Sequence, residues 1–273
     1  MAELLIVFRE VLEASLIVGI LYTYLTKIGQ TGALFRLWQG VIVALAASIV
    51  GSLLFQKLAG GFHGQAEKLF EGIVMIVAAA VLGTMIIWMA KNRNIAEDLE
   101  SKAAEALDSK KLGYGIFTLA FISVFREGIE TILFLYGVMM KQGSLNISLS
   151  LVGAAMGIGL GYMIFIQGRK VPLKTFFNVS SILLIFVAAG MLAYGVHELE
   201  SAGIIPDYGR LWDINPAKNP DGSYHILHDK GNLGSLFKGL FGYNGDPSAI
   251  EFLVWLSALF SLGVMWKQAG DFK

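Results

Sequence analysis

The sequence has no cysteine in 273 residues. That absence excludes disulfides, thiolate catalysis, cysteine zinc sites and iron–sulfur ligation, so any metal must be held by oxygen or imidazole. Charge is scarce as well, at 15% of residues against about 25% in soluble domains. The 21 Lys and Arg balance the 21 Asp and Glu, so the chain has no basic excess to replace counterions at phosphates, and nucleic acid is excluded as a partner. No G-x-S-x-G, Walker A or H-E-x-x-H pattern occurs, which points away from an enzyme of those classes and leaves no ATP-binding domain to drive transport. Active transport would then draw on an ion gradient, the membrane potential or a redox partner.

What is abundant is apolar sequence. Hydrophobic residues make up 55% of the chain and mean hydropathy is +0.64, the composition of an integral membrane protein. At about 20 residues per crossing, seven helical spans are expected: Leu4–Thr26, Leu34–Leu58, Phe70–Ala90, Gly113–Met140, Ser144–Gln167, Thr175–Val196 and Pro247–Trp266. The runs are long and continuous rather than alternating, so they read as helices and not barrel strands. Met-Ala-Glu-Leu-Leu lacks the basic region of a secretory signal and is kept within the first span. Twelve basic residues fall on one side of these spans: Lys27, Arg36, Lys91, Arg93, Lys102, Lys110, Lys111, Arg169, Lys170, Lys174, Lys267 and Lys273. The other side has Lys57, Lys68 and Lys141 in short loops, and Arg210, Lys218, Lys230 and Lys238 in a long segment that counts for little. The positive-inside rule therefore places the N-terminus outside and the C-terminus in the cytoplasm of a multi-pass cell-membrane protein.

Two strings recur 117 residues apart: Phe8-Arg9-Glu10-Val11-Leu12-Glu13 and Phe125-Arg126-Glu127-Gly128-Ile129-Glu130. Each opens a group of three spans, so the chain is expected to be a single all-α permease domain, 1–273, with repeat one at about 1–95 and repeat two at about 113–200. Three is odd, so the repeats insert in opposite senses, as inverted repeats do in many transporters. An external loop at 198–246 and a seventh helix at 247–266 complete the plan. Lys91–Lys111 is charged and Ala-rich, expected as a cytoplasmic helix along the membrane. Leu233–Phe241 is an amphipathic piece at the interface within the Gly- and Pro-containing loop, which also holds Pro206, Pro216 and Pro220. Gly153, Gly157 and Gly161 form a small-residue ridge for packing within the monomer or across a dimer.

The chemistry lies in the repeated string. Arg at i, Glu at i+1 and Glu at i+4 fall on one side of a helix. At the bilayer centre each such charge costs about 2.5–3.5 kcal/mol, so six cost about 15–20 kcal/mol unless they pair or meet a cation. Glu10, Glu13, Glu127 and Glu130 are the candidate metal ligands, with Arg9 and Arg126 balancing part of the charge. Hard carboxylate oxygens suit iron, manganese, magnesium or calcium rather than Cu(I). The alternative is a set of salt bridges fastening two helices; against it, two Arg leave four Glu with a net charge of minus two. Glu71, His197 and Glu198 fall at the expected outer entrance, where an entrance site and ordinary interfacial anchoring both remain open. His63 is external too. His225, His228 and Asp229 form a His-x-x-His-Asp set that reads either as external metal capture or as a solvated polar turn.

Paired R-E-x-x-E helices in a seven-span chain resemble the oxidase-dependent iron transporter family, the iron permeases of fungi and their bacterial EfeU-type relatives. The resemblance covers nearly the whole chain: the two strings, Phe-Glu-Gly at Phe70–Gly72, Gly-Val-His-Glu-Leu at Gly195–Leu199, and Gly-Leu-Phe-Gly-Tyr at Gly239–Tyr243. It implies iron uptake across a plasma or bacterial inner membrane with the motif glutamates as ligands. Iron is then transported substrate, and no bound organic cofactor is expected. It also implies separate iron-binding, ferroxidase or redox proteins as partners. Val11 stands where many members carry Gly, which puts close packing there in question. Two alternatives stay open: a transporter or proton exchanger for another divalent cation such as manganese or lead, and a membrane redox or assembly subunit.

Overall fold

The structure is a computed structural model, describing residues 2–91, 95–108, 114–165, 173–215 and 224–271. Arg93, Lys110, Lys111, Arg169, Lys170, Lys218, Lys273, Pro216, Pro220 and the expected span ends Gly113 and Gln167 lie outside the described residues, as does the side chain of Lys174. Among the described residues there are nine helices and no strand beyond one isolated bridge, Arg210 with Ser248. In order they are α1 (Ala2–Lys27), α2 (Thr31–Ala59), α3 (Gln65–Lys91), α4 (Ile95–Asp108), α5 (Tyr114–Gln142), α6 (Ile147–Phe165), α7 (Leu173–Ser201), α8 (Asn232–Phe241) and α9 (Ala249–Asp271).

A helix occupies each of the seven apolar segments. Five of them, α2, α3, α6, α7 and α9, are long and apolar enough to cross a membrane with few charges. The other two, α1 and α5, are the helices that carry Arg9, Glu10, Glu13 and Arg126, Glu127, Glu130. α3 starts one turn earlier than hydropathy marks, because Gln65–Lys68 are polar yet good helix formers. α7 likewise runs on through His197 and Glu198 to Ser201. α4 matches the charged stretch expected as a helix, and tucks Leu99 and Ala103 under Leu21, Leu25 and Ile116. α8 covers the amphipathic piece, and ends at Gly242 with φ 74°, a left-handed cap that places its backbone against Gly190.

Apolar side chains sort by neighbour rather than by water. Met75, Leu82, Ile86, Phe134, Leu184 and Met191 form one buried cluster where α3, α5 and α7 meet. A second joins α1, α2, α4 and α5. On the outward faces, Ile42, Ile49 and Leu53 of α2, Leu151 and Ile158 of α6 and Phe260 of α9 are exposed, an apolar surface that a lipid tail would cover.

Helices pair in a definite pattern: α1 with α6, α2 with α5, α3 with α7, while α1 also touches α5. Directions follow from the neighbours. Gly153 lies on Leu4, Gly157 on Phe8 and Leu12, and Gly161 on Ser15, so α6 and α1 run parallel. Gly40 lies on Phe117 and Gly128 on Ser48, so α2 and α5 run parallel too. Gly72 and Gly195 meet with α3 and α7 antiparallel. The glycine ridge of α6 is therefore used inside the monomer, against α1. It also answers the question raised by Val11. Where α5 has Gly128 against Ser48 of α2, α1 has Val11 against Gly157 of α6, so the small residue has moved to the opposite helix and close contact is kept.

A methyl group on Gly153 would lie 2.6 Å from the Leu4 carbonyl oxygen, whereas one on Gly159 meets nothing within 4 Å. Gly153→Ala should therefore destabilise the folded protein by about 1–3 kcal/mol, and Gly159→Ala should leave it unchanged or firmer, since alanine favours the helix by about 0.5–1 kcal/mol. Thermal unfolding in detergent compares the two.

Candidate metal centre

α1 and α5 bring the two motifs face to face. Glu10, Glu127 and Glu130 each offer a carboxylate oxygen, and the three oxygens lie within 4.8 Å of one another. Hard cations bind oxygen at about 2.0–2.6 Å, so ligands on opposite sides of an ion are about 4–5 Å apart. The spacing is thus that of a cation's ligand shell. Glu13 is not part of this trio. It is held one turn along α1 by Arg9, whose Nη2 is 3.0 Å from Glu13 Oε1.

Each arginine serves its own helix. Arg9 Nη1 donates to Glu10 Oε1 at 3.2 Å. Arg126 Nη2 donates to Glu127 Oε1 at 2.6 Å, and its Nε is 3.5 Å from Glu130 Oε1. The second oxygen of each trio member, Oε2 of Glu10, Glu127 and Glu130, is buried without a hydrogen bond. A buried, unpartnered carboxylate oxygen is costly, and each motif glutamate has one: Oε2 in the three that converge, and Oε1 in Glu13, 3.0 Å from Arg9 Nη2. Two guanidiniums against four carboxylates leave an excess of two negative charges, which a divalent cation matches.

The arginines differ in setting. Arg9 is fully buried, and its guanidinium also donates to Met85 Sδ at 3.1 Å and Met89 Sδ at 2.8 Å. Arg126 leaves 49% of its side chain exposed and sits 5.6 Å from the centre of the Trp88 ring. Met85, Trp88 and Met89 occupy one face of α3, at i, i+3 and i+4. Sequence reasoning passed over them, because an apolar stripe at helical spacing reads as core; the signal was that this stripe mixes thioethers and an indole, the apolar groups best able to accept a cation's hydrogen bonds or field.

The expected entrance residues divide. Glu71 of α3 lies near Glu198 of α7, which is buried. His197 instead turns to α9, with Nδ1 3.5 Å from Glu251 Oε2. Glu251, also missed in the sequence, is buried and accepts from Asn244 Nδ2 at 2.7 Å; a carboxylate in the first turn of an apolar helix was its signal. His225 and His228 do not converge on a metal-ligand group among the described residues. The Nδ1 of each accepts a backbone N–H two residues on, from Leu227 at 3.3 Å and Lys230 at 2.9 Å. Asp229 pairs with Lys238 at 2.8 Å and accepts the Gly245 N–H. The geometry of this set is that of a polar turn. His63 is exposed between α2 and α3.

The family model described as the iron permease FTR1 family matches residues 1–270. The chain belongs to that family. It is 31% identical to the ferrous iron permease EfeU of Escherichia coli O6:H1 over 255 residues, 92% of this chain and 89% of that one. It is 32% identical to an uncharacterized protein of Archaeoglobus fulgidus over 277 residues, 99% of this chain and 96% of the relative. EfeU of Yersinia pestis is 31% identical over 254 residues, covering 92% and 87%. No solved structure matches.

Because Arg9 is enclosed and joins two carboxylates and two thioethers, Arg9→Ala leaves buried charge without its partner, and should cost about 3–5 kcal/mol. Arg126→Ala, on a half-exposed side chain, should cost clearly less. Detergent melting curves of the two variants test the order.

Proposed function

We propose that this member of the family is a ferrous iron permease in which Glu10, Glu127 and Glu130 form the site that binds iron in transit. The observation that carries the reading is the set of three orphan carboxylate oxygens on the three residues that converge within 4.8 Å. Glu13, one turn along α1, takes the ion next, while Arg9 and Arg126 hold the glutamates together between ions. Arrival of the cation weakens their pull on the carboxylates, so binding and release are each compensated charge for charge. Ferrous rather than ferric iron is chosen because the named relatives are ferrous iron permeases.

The reading includes seven crossings, two inverted three-helix repeats and one additional helix, with the N-terminus outside and the C-terminus in the cytoplasm. Pairing supports it. Exchanging α1, α2, α3 with α5, α6, α7 turns the α1–α6 contact into the α5–α2 contact, and leaves α1–α5 and α3–α7 as they are. The parallel sense of the first two pairs and the antiparallel sense of α3 and α7 are those of alternating crossings. Glu71 and Glu198 gather cations at the outer end, where separate iron-binding or redox proteins deliver them.

Radiolabelled uptake into proteoliposomes, with ferrous and ferric iron supplied separately, tests the assignment. Glu10→Gln and Glu127→Gln keep shape and remove charge. Each should lower ferrous uptake at least about tenfold, given that even groups behind a metal's ligands cost about 10–100-fold when changed. Wild-type rates in both would refute the ligand set, and a metal panel in the same vesicles reads out manganese or lead as cargo instead.

A further inference from the structure

A cavity of about 420 Å³ opens between α1, α2 and α5, with Glu10 and Glu127 in its wall. Six waters at about 30 Å³ each take about 180 Å³, less than the volume of this cavity. From the glutamates the cavity extends toward Phe55, Tyr136 and Leu145, the end where α2 and α5 finish and α1 begins.

The lining is mostly apolar, with one polar strip at helical spacing. Ser48, Ser52 and Gln56 of α2 form it, four residues apart, and Thr131 of α5 faces the same space. Eight residues of helix rise about 12 Å, so these groups form a ladder from the carboxylates to the end of the bundle. Two of the hydroxyl protons, those of Ser48 and Thr131, are already committed. Ser48 Oγ donates to the Ala44 carbonyl at 2.9 Å and Thr131 Oγ1 to the Glu127 carbonyl at 2.7 Å. A hydroxyl bound in this way turns lone pairs to the cavity and acts as an acceptor, which suits a cation and the water that it polarises. The ladder ends at Glu10 and Glu127, which line the cavity and are otherwise buried, 1% and 2% exposed.

The matching interface, between α6 and α1, is tightly packed among the described residues. Gly153, Gly157 and Gly161 of α6 take the place of a stripe at the same spacing, and press the α6 backbone on α1 with no side-chain oxygen to offer. Leu45 and Ile49 form the lipid-side rim of the open cavity.

We infer that ferrous iron reaches Glu10 and Glu127 from outside along Ser52, Ser48 and Thr131, with Gln56 at the mouth, and that α2 supplies the ligands of a partly hydrated intermediate stop. This rests on the iron permease reading. It is a different route from one through His197, which faces α9.

The absence of native cysteine makes the test clean. Ser48→Cys, Ser52→Cys and Ser15→Cys are made singly, and right-side-out membrane vesicles are treated with a charged, membrane-impermeant thiol reagent. Cysteines at Ser48 and Ser52, which line the cavity, should react and the one at Ser15, outside its lining, should not. Ferrous iron should slow the reaction at Ser48→Cys severalfold, and should not do so when Glu10→Gln and Glu127→Gln are added. Ser52→Leu should cut uptake severalfold while Ser52→Ala, which leaves the route open, should lose less. Reaction of Ser52→Cys only with a membrane-permeant reagent would mark the cavity as lipid-filled and overturn the route. So would unchanged reaction rates under iron in vesicles that import iron. If wild type imports no iron yet Ser48→Cys and Ser52→Cys react from outside, the route stands and the cargo assignment falls.

Discussion

Four carboxylates and two guanidiniums share the crossing of α1 and α5, within helices surrounded by apolar neighbours. Charge held there without compensation costs several kcal/mol per group. The surrounding elements are arranged about that cost. α3 backs the arginines with Met85, Trp88 and Met89. α6 holds α1 in place through a glycine ridge, and α2 holds α5 through Ser48 and its neighbours. What the arginines do not neutralise is the negative excess that a cation answers.

The two halves are alike in plan and unlike in detail. One motif has its arginine sealed, and a bulky Val11 answered by Gly157; the other has an arginine half-exposed, and Gly128 answered by Ser48. Perfect likeness would give both halves the same free energy in the same state. Departures of this kind leave a cavity between α1, α2 and α5, while α6 presses its glycine backbone on α1.

Much of this was legible in the chain. Apolar runs of bilayer length gave the helix positions, since few other patterns keep twenty residues free of charge, and the motif recurrence pointed to α1 and α5 as partners. Three things were not legible. Helical spacing puts Glu10 and Glu13 on one side of α1, but which of them joins Glu127 and Glu130 depends on the angle at which the helices cross, a tertiary quantity. Met85 and Met89 look like core until a buried guanidinium is set against them. His225 and His228 have the spacing of a capture site, and Nδ1 of each accepts a backbone N–H within a turn. Backbone N–H groups compete for the same lone pairs a metal would use, and the sequence does not say which wins.

In the function proposed, the metal is held by motif carboxylates alone, not by thioether or imidazole. X-ray absorption at the iron edge, on purified protein loaded with ferrous iron, tests it most directly. An oxygen-only first shell that disappears in the Glu10→Gln/Glu127→Gln protein is the predicted result. A sulfur or imidazole scatterer, or a first shell unchanged by the two substitutions, would contradict it.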